Sequence, residues 1–223
     1  MSDAIDGIDS ISTRTKFSYG LGALGKDFAC SIVYVFLMYY YTDVAGVPAA
    51  FVGTLFLVVR MIDALSDPVM GMIVDNTRSR FGKFRPWIVL GTVINSLALL
   101  ALFSAHLFSG SQLLLFVTVT YIVWGLTYTI MDIPFWSMVP ALSARREERE
   151  RLVVWPRLFA SIAWTIVGTY GLASIAFLGE GDEGRGFLLL SGLIIIAFLA
   201  SALITFTQVK ESCLLYTSDA ADD

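Results

Sequence analysis

The chain has few of the residues that soluble enzymes commonly use for chemistry. Its 223 residues include two cysteines and one histidine, and charged residues make up only 15%. Cys30 lies in an apolar stretch and Cys213 near the end of the chain, so we expect no disulfide. The sequence contains no Ser/His/Asp set, Walker loop or dinucleotide fingerprint, and no residue cluster indicates a metal enzyme. The usual motifs of hydrolases and nucleotide-binding enzymes are therefore missing.

What the sequence has in excess is apolar surface. Hydrophobic residues make up 57% of the chain, and the mean hydropathy is +0.74. A soluble domain of this size could not bury that much apolar area. Segments long enough to cross a ~30 Å hydrocarbon core as helices lie at residues 17–41, 49–74, 87–107, 113–138, 153–178 and 187–209. Because the alternating pattern of a membrane barrel is absent, the sequence predicts an all-α membrane protein with six transmembrane helices.

The basic residues predict how these helices are oriented. Most of the 15 Lys and Arg residues fall in residues 1–16, 75–86 and 139–152, whereas the opposite connections carry only Arg185. By the positive-inside rule both termini are cytoplasmic. The N-terminus lacks a basic n-region and a cleavage pattern, so we expect the first segment to be retained. Because topology explains the basic runs, we expect no nucleic-acid partner.

The most informative motif is Asp63-Ala-Leu-Ser-Asp67-Pro68, with Arg60 one turn before it. A charge at bilayer depth costs from a few to more than ~10 kcal/mol, so such residues are usually paired and functional. On a helix, Arg60, Asp63 and Asp67 fall within an arc of roughly 60°. The two carboxylates offer four oxygens to a hard cation, and Pro68 leaves the Ala64 carbonyl without its helical partner. The alternative is an Arg60–Asp63 ion pair that only fixes helix packing.

A second stripe lies on the fourth segment. Tyr128, Thr129, Asp132 and Trp136 fall within an arc of roughly 100° on a helix. A carboxylate accepts hydrogen bonds from sugar hydroxyls, and an indole packs on the apolar face of a pyranose. This stripe favours a sugar site. The alternative for Trp136 is an interfacial aromatic residue with a packing role.

Acidic side chains outnumber basic ones by one inside the apolar segments. The embedded charged residues are Asp27, Asp63, Asp67 and Asp132 against Lys26, Arg60 and Arg157. A bound monovalent cation would balance the excess negative charge.

Two further features are interpreted as structural. His106 lies at the outer end of the third segment, where a solvated or packing role is favoured over proton relay. The run Tyr39-Tyr40-Tyr41 closes the first segment and predicts an aromatic belt at the outer interface.

Five runs together resemble the glycoside-pentoside-hexuronide family of cation:sugar symporters, and within it the carriers of melibiose. They are Gly25-Lys-Asp-Phe-Ala29, Met38-Tyr-Tyr-Tyr-Thr-Asp43, Asp63-Ala-Leu-Ser-Asp67-Pro68, Thr77-Arg-Ser-Arg-Phe-Gly-Lys83 and Tyr128-Thr-Ile-Met-Asp-Ile-Pro-Phe-Trp136. The resemblance implies the N-terminal six-helix bundle of a major facilitator fold, a 3+3 inverted repeat, in a bacterial cytoplasmic (inner) membrane.

The resemblance also implies a function and its residues. It implies symport of a galactoside such as melibiose with Na⁺, Li⁺ or H⁺ by alternating access, and no enzymatic activity. It assigns Asp63, Asp67 and Thr129 to the cation. Residues implied to line or support the sugar site are Lys26, Asp27, Tyr128, Asp132, Trp136 and Arg157. No cofactor is expected besides the coupling cation; the implied partners are the sugar, the lipid bilayer and a C-terminal bundle.

The end of the chain departs from the family's pattern. We expect a cytoplasmic N-terminus at residues 1–16, a helical bundle at 17–211 and a foreign tail at 212–223, with the C-terminal six-helix bundle missing. Two other functions stay open. One is a half-carrier that binds or regulates without transporting, and the other is an intramembrane enzyme that uses the Asp pair as acid and base. Against the enzyme, both acids lie on one helix and no second catalytic motif is present.

Overall fold

A computed structural model of the chain describes residues 11–211. In this range there are seven α-helices and no β-strand: α1 (Thr13–Tyr39), α2 (Ala49–Asp75), α3 (Arg85–Leu102), α4 (Gly110–Ser137), α5 (Val139–Leu142), α6 (Arg146–Gly179) and α7 (Glu183–Gln208). Helix α5 is a single turn, and the other six are long and apolar enough to cross a membrane. The predicted all-α fold with six spanning helices is confirmed. The predicted foreign tail at 212–223 lies outside the described residues and stays a prediction.

Local signals set several helix ends. The Ser12 hydroxyl accepts a hydrogen bond from the Thr15 N–H at 3.1 Å and caps α1. The Asp182 carboxylate caps α7 through the Arg185 N–H at 3.0 Å. Helix α6 begins at Arg146, before the predicted span at 153–178. Hydropathy did not mark its first two turns because they are charged. Hydropathy marks where a helix enters the apolar layer rather than where the helix begins.

Helix α1 is the most buried of the six spanning helices and packs against α6 and α7, while α4 packs against α3 and α2. Small residues allow the close contact of α1 with α7. A Cβ on Gly22 or Gly25 would collide with the Thr205 or Ser201 hydroxyl, respectively. Because these glycines place one face of α1 against α7, Lys26 is directed toward α4 instead.

The predicted aromatic belt is wrong for two of its three tyrosines. Tyr40 and Tyr41 are 0% exposed, and only Tyr39 reaches the surface. A π-helical turn over Tyr40–Val44 follows α1, and the Tyr40 hydroxyl donates to the Phe103 carbonyl at 2.7 Å. The His106 ring Nδ1 lies 2.8 Å from the same hydroxyl, which is a packing position. These side chains therefore hold the bundle together at this end.

At the opposite end of the bundle, a carboxylate binds the loop between α2 and α3. Glu211, just beyond α7, accepts hydrogen bonds from the backbone N–H groups of Lys83 at 2.6 Å, Phe84 at 2.9 Å and Arg85 at 3.1 Å. Gly82 has a φ of 105°, and a Cβ there would collide with this carboxylate. Negative charge is favoured where the first N–H groups of a helix lack partners. The α2–α3 loop is thereby held to the end of α7.

Candidate functional site

The first polar group in the interior, here called the α1–α4 cluster, consists of Lys26, Asp27, Tyr128, Asp132 and Trp136. The Lys26 residue is 4% exposed. Its ammonium lies 2.7 Å from Asp132 Oδ1, 3.4 Å from Asp27 Oδ2 and 3.3 Å from the Tyr128 hydroxyl. A buried ammonium needs such partners, because an uncompensated charge is costly in a low-dielectric interior. The structure thus brings most of the predicted sugar residues together.

Aromatic rings complete this cluster. The Lys26 ammonium lies 5.7 Å from the centre of the Tyr128 ring and 5.5 Å from the centre of the Trp136 ring. Distances below about 6 Å allow cation–π attraction. Trp136 is therefore part of the charged site, rather than only an interfacial aromatic residue. Carboxylate, ammonium and indole together can hold a polyhydroxylated ring by its hydroxyls and by its apolar face.

Asp27 has a further partner that the sequence did not reveal. Its Oδ1 accepts a hydrogen bond from the Trp164 indole N–H on α6 at 3.1 Å. Its Oδ2 is buried and has no hydrogen-bond partner in the described range. The sequence carries no signal for this contact, because it depends on how α6 packs on α1.

The second polar group, here called the α2–α4 cluster, consists of Arg60, Asp63, Asp67 and Thr129. The Thr129 hydroxyl donates to Asp67 Oδ1 at 3.0 Å. Asp63 lies opposite Gly125, where a Cβ would come within 3.0 Å of Asp63 Oδ1. Asp63 and Asp67 are one turn apart on α2, and Gly125 and Thr129, which face them, are one turn apart on α4. The three predicted cation residues therefore share one interface.

The Arg60–Asp63 ion pair that we considered as an alternative is present. The guanidinium Nη1 lies 3.3 Å from Asp63 Oδ2, and the Arg60 side chain is 46% exposed. Arg60 also donates to the Tyr34 hydroxyl and stacks 4.8 Å from the centre of that ring. The pair leaves Asp63 Oδ1 buried without a hydrogen-bond partner among residues 11–211. An oxygen is therefore left over for another ligand.

No group of three or more His, Cys, Asp or Glu side chains in the described range is placed to hold a metal ion. A cation at the α2–α4 cluster would depend on two carboxylates together with neutral oxygens. Sodium and lithium accept such mixed oxygen ligands, as hard cations do.

Arg157 stands apart from the other predicted sugar residues. It is exposed and lines an open groove of about 360 Å³, together with Arg146, Arg149 and Glu150 near the start of α6. Within the described part of the chain its guanidinium forms no ion pair. The structure does not bring it into the α1–α4 cluster.

Comparison with known proteins identifies the family. Residues 18–221 match the family described as MFS/sugar transport protein. The chain belongs to this family. Its members are transporters rather than enzymes, and the six spanning helices are consistent with half of a major facilitator fold.

Relatives with curated names are symporters or transporters. The chain is 33% identical over 220 residues to the uncharacterized symporter YnaJ of Bacillus subtilis, covering 96% of this chain and 47% of that protein. It is 34% identical to the putative glycoside/cation symporter YagG of Escherichia coli, covering 83% and 42%. It is 32% identical to the isoprimeverose transporter of Lactiplantibacillus pentosus, covering 88% and 41%. The chain thus spans less than half the length of these three relatives.

Proposed function

We propose that the chain forms the N-terminal half of a cation-coupled sugar symporter. The observation that supports this most strongly is the presence of two separate polar clusters that share helix α4. Thr129 belongs to the α2–α4 cluster and Asp132 to the α1–α4 cluster, one turn apart on α4. Two sites on one helix give a direct physical route for one ligand to affect the other.

The α2–α4 cluster is the proposed cation site, for Na⁺, Li⁺ or H⁺. Asp63 and Asp67 supply negative charge, and Thr129 supplies a hydroxyl oxygen. The unpartnered Asp63 Oδ1 is the atom we expect a cation to contact first. A bound cation would reduce the repulsion between the two carboxylates.

The α1–α4 cluster is the proposed sugar site, and we propose a galactoside such as melibiose as the substrate. Two carboxylates face one ammonium there, so the cluster carries excess negative charge. This favours an uncharged sugar over an anionic one. The distinction matters because one relative is named a glucuronide carrier protein homolog.

The proposed mechanism is alternating access without chemical change to the sugar. Asp67 and Thr129 are already in contact, and we expect a cation held between them to order the turn of α4 that carries Asp132, which raises sugar affinity. By linkage, sugar raises cation affinity by the same factor. A second bundle would form the other wall of the cavity, and the two bundles would rock around the filled site. Arg157 would reach the sugar only in a state where α6 and the second bundle close over it.

We propose that the protein lies in a bacterial cytoplasmic membrane with its N-terminus inside. The support is the excess of Lys and Arg on one side of the bundle. A single cysteine replacing Glu180, in the turn after α6, should react with an impermeant thiol reagent on intact cells. A cysteine replacing Arg146 should react only after the cells are opened. The reverse pattern would overturn the orientation.

Counterflow tests the transport proposal. Membrane vesicles containing the full-length carrier are loaded with unlabelled melibiose and diluted into labelled melibiose, with and without sodium. We expect transient accumulation of label that sodium or lithium increases. A labelled glucuronide serves as the comparison substrate and should accumulate less. Accumulation that is independent of sodium, lithium and pH would contradict cation coupling.

A further inference from the structure

We propose that Trp164 is a positioning residue for the sugar site: its indole N–H holds one oxygen of Asp27 so that the other oxygen faces the substrate. This inference depends on the proposed sugar function, because it assigns a role within the same site. The two carboxylate oxygens of Asp27 have different surroundings.

One oxygen of Asp27 is occupied and the other is not. Oδ1 accepts the Trp164 indole N–H at 3.1 Å. Oδ2 lies 3.4 Å from the Lys26 ammonium, too long for a good charge-assisted hydrogen bond, and has no hydrogen-bond partner among the described residues. A buried carboxylate oxygen without a partner carries a free-energy cost. A ligand hydroxyl that donates to Oδ2 would remove this cost.

The Trp164 indole determines which oxygen of Asp27 has no hydrogen-bond partner within the described range. An indole has one N–H donor and no acceptor, so it can bind only an acceptor such as a carboxylate oxygen. Asp27 lies on α1 and Trp164 on α6, and these helices pack closely along their length. The hydrogen bond therefore fixes the Asp27 side-chain rotation through a neighbouring helix. Without it, the carboxylate could rotate and place both oxygens toward Lys26.

Trp164 itself lies at an accessible surface. The residue is 37% exposed, and its ring meets the Tyr34 ring with centroids 6.0 Å apart. Tyr34 in turn accepts a hydrogen bond from Arg60 of the α2–α4 cluster. A purely structural tryptophan at this point would influence both clusters through packing. A positioning role through the N–H predicts an effect on sugar alone.

The test compares three variants of the full-length carrier by calorimetry with methyl galactoside and, separately, with sodium. Trp164→Phe keeps an aromatic ring but removes the N–H, and we expect sugar affinity to fall about 3- to 10-fold, the value of one lost hydrogen bond. Sodium affinity measured without sugar should stay near wild type. Trp164→His returns a ring N–H and should recover part of the affinity. Unchanged sugar affinity in Trp164→Phe would overturn the proposal.

A double-mutant cycle with Asp27→Asn separates positioning from packing. If Trp164 acts through Asp27, adding Trp164→Phe to Asp27→Asn should cost little further sugar affinity. Full additivity, or parallel losses of sugar affinity and sodium affinity, would show that Trp164 is structural and overturn the proposal.

A readout without sugar keeps this inference separate from the proposed function. In ¹⁵N-indole spectra the Trp164 signal is identified by its loss in Trp164→Phe. It should move upfield in Asp27→Asn, because a neutral amide is a weaker acceptor. If wild-type carrier binds no galactoside, the proposed substrate is wrong while the indole shift still tests the contact. An indole signal unaffected by Asp27→Asn would overturn the positioning role, whatever the sugar result.

Discussion

The α1–α4 and α2–α4 clusters both place charge within membrane-spanning helices, but they compensate it differently. In the α1–α4 cluster the Lys26 side chain is 5% exposed and lies between two carboxylates. In the α2–α4 cluster the Arg60 side chain is 46% exposed and contacts one oxygen of Asp63. The first arrangement surrounds its buried cation with two carboxylates, whereas the second has a half-exposed cation that contacts one carboxylate. We therefore expect a mobile cation to bind at the second cluster rather than at the first.

The two clusters should also differ in how much their embedded cations contribute to folding stability. Removing one partner of a buried ion pair leaves an uncompensated charge and costs several kcal/mol. Removing one partner of an exposed pair costs at most about 1 kcal/mol. We therefore expect substitutions of the two embedded cations to have unequal effects on folding, even though both remove one positive charge.

The largest effect is expected for Lys26→Met. Asp27 and Asp132 would then face each other without the ammonium, and the free energy of unfolding should fall by about 3–5 kcal/mol. Galactoside binding should be lost as well. Thermal unfolding of the purified carrier in detergent measures the stability change. Arg60→Met is the matched control and should lower stability by less than Lys26→Met does, because the Arg60 side chain is 46% exposed; equal losses in the two variants would contradict the comparison.

The second prediction concerns Asp63→Cys. This change removes a hard anionic ligand but leaves the α1–α4 cluster untouched, so sodium stimulation of transport should be abolished while sugar binding stays measurable. Counterflow and sugar calorimetry on the same preparation measure both. Asp75→Cys is the control, because Asp75 lies on the same helix but pairs with Lys83 of the following loop. This variant should retain sodium stimulation. Equal loss of sodium and sugar binding in Asp63→Cys would mean that Asp63 is structural.

The third prediction concerns Asp132→Asn. The amide keeps the side-chain shape and one acceptor for Lys26, but it replaces charge-assisted hydrogen bonds by weaker ones. Galactoside affinity should fall roughly tenfold or more, in line with losing ~1.5–3 kcal/mol. Sodium affinity without sugar should change much less. A variant that binds sugar normally but has lost sodium binding would move Asp132 into the cation site.

The smallest effect is expected for Thr129→Val. This change removes the hydroxyl that contacts Asp67 at 3.0 Å while keeping the side-chain volume. Sodium affinity should fall about 2- to 10-fold, the range for one hydrogen bond of ~0.5–1.5 kcal/mol. Thr118→Val is the control, because within residues 11–211 its hydroxyl bonds only the Leu114 carbonyl of its own helix. Similar sodium affinities in the two variants would exclude Thr129 from the cation site.

The sequence predicted the parts of this structure that depend on one helix at a time. The number of membrane-spanning helices follows from the number of apolar segments that are long enough to cross a bilayer. The Asp63–Asp67 and Tyr128–Trp136 stripes follow from helical spacing. The family resemblance then supplied Lys26 and Thr129 as members of the two clusters, and the structure brings both into contact with them.

Features that depend on contacts between helices were not predicted. The Trp164–Asp27 hydrogen bond requires knowing that α6 packs on α1. The burial of Tyr40 and Tyr41 requires the π-helical turn that directs them into the bundle. Hydropathy and spacing contain neither kind of information, because both are properties of one segment.

We propose that two distinct sites are coupled through α4, and the coupling factor is the most direct test of this coupling. Calorimetry of the full-length carrier gives sugar affinity with and without sodium, and sodium affinity with and without sugar. In wild type we predict that each ligand raises the affinity of the other by the same factor, as linkage requires. In Asp63→Cys the sugar should bind with an affinity that sodium no longer changes. Sodium-dependent sugar affinity that persists in Asp63→Cys would contradict the account.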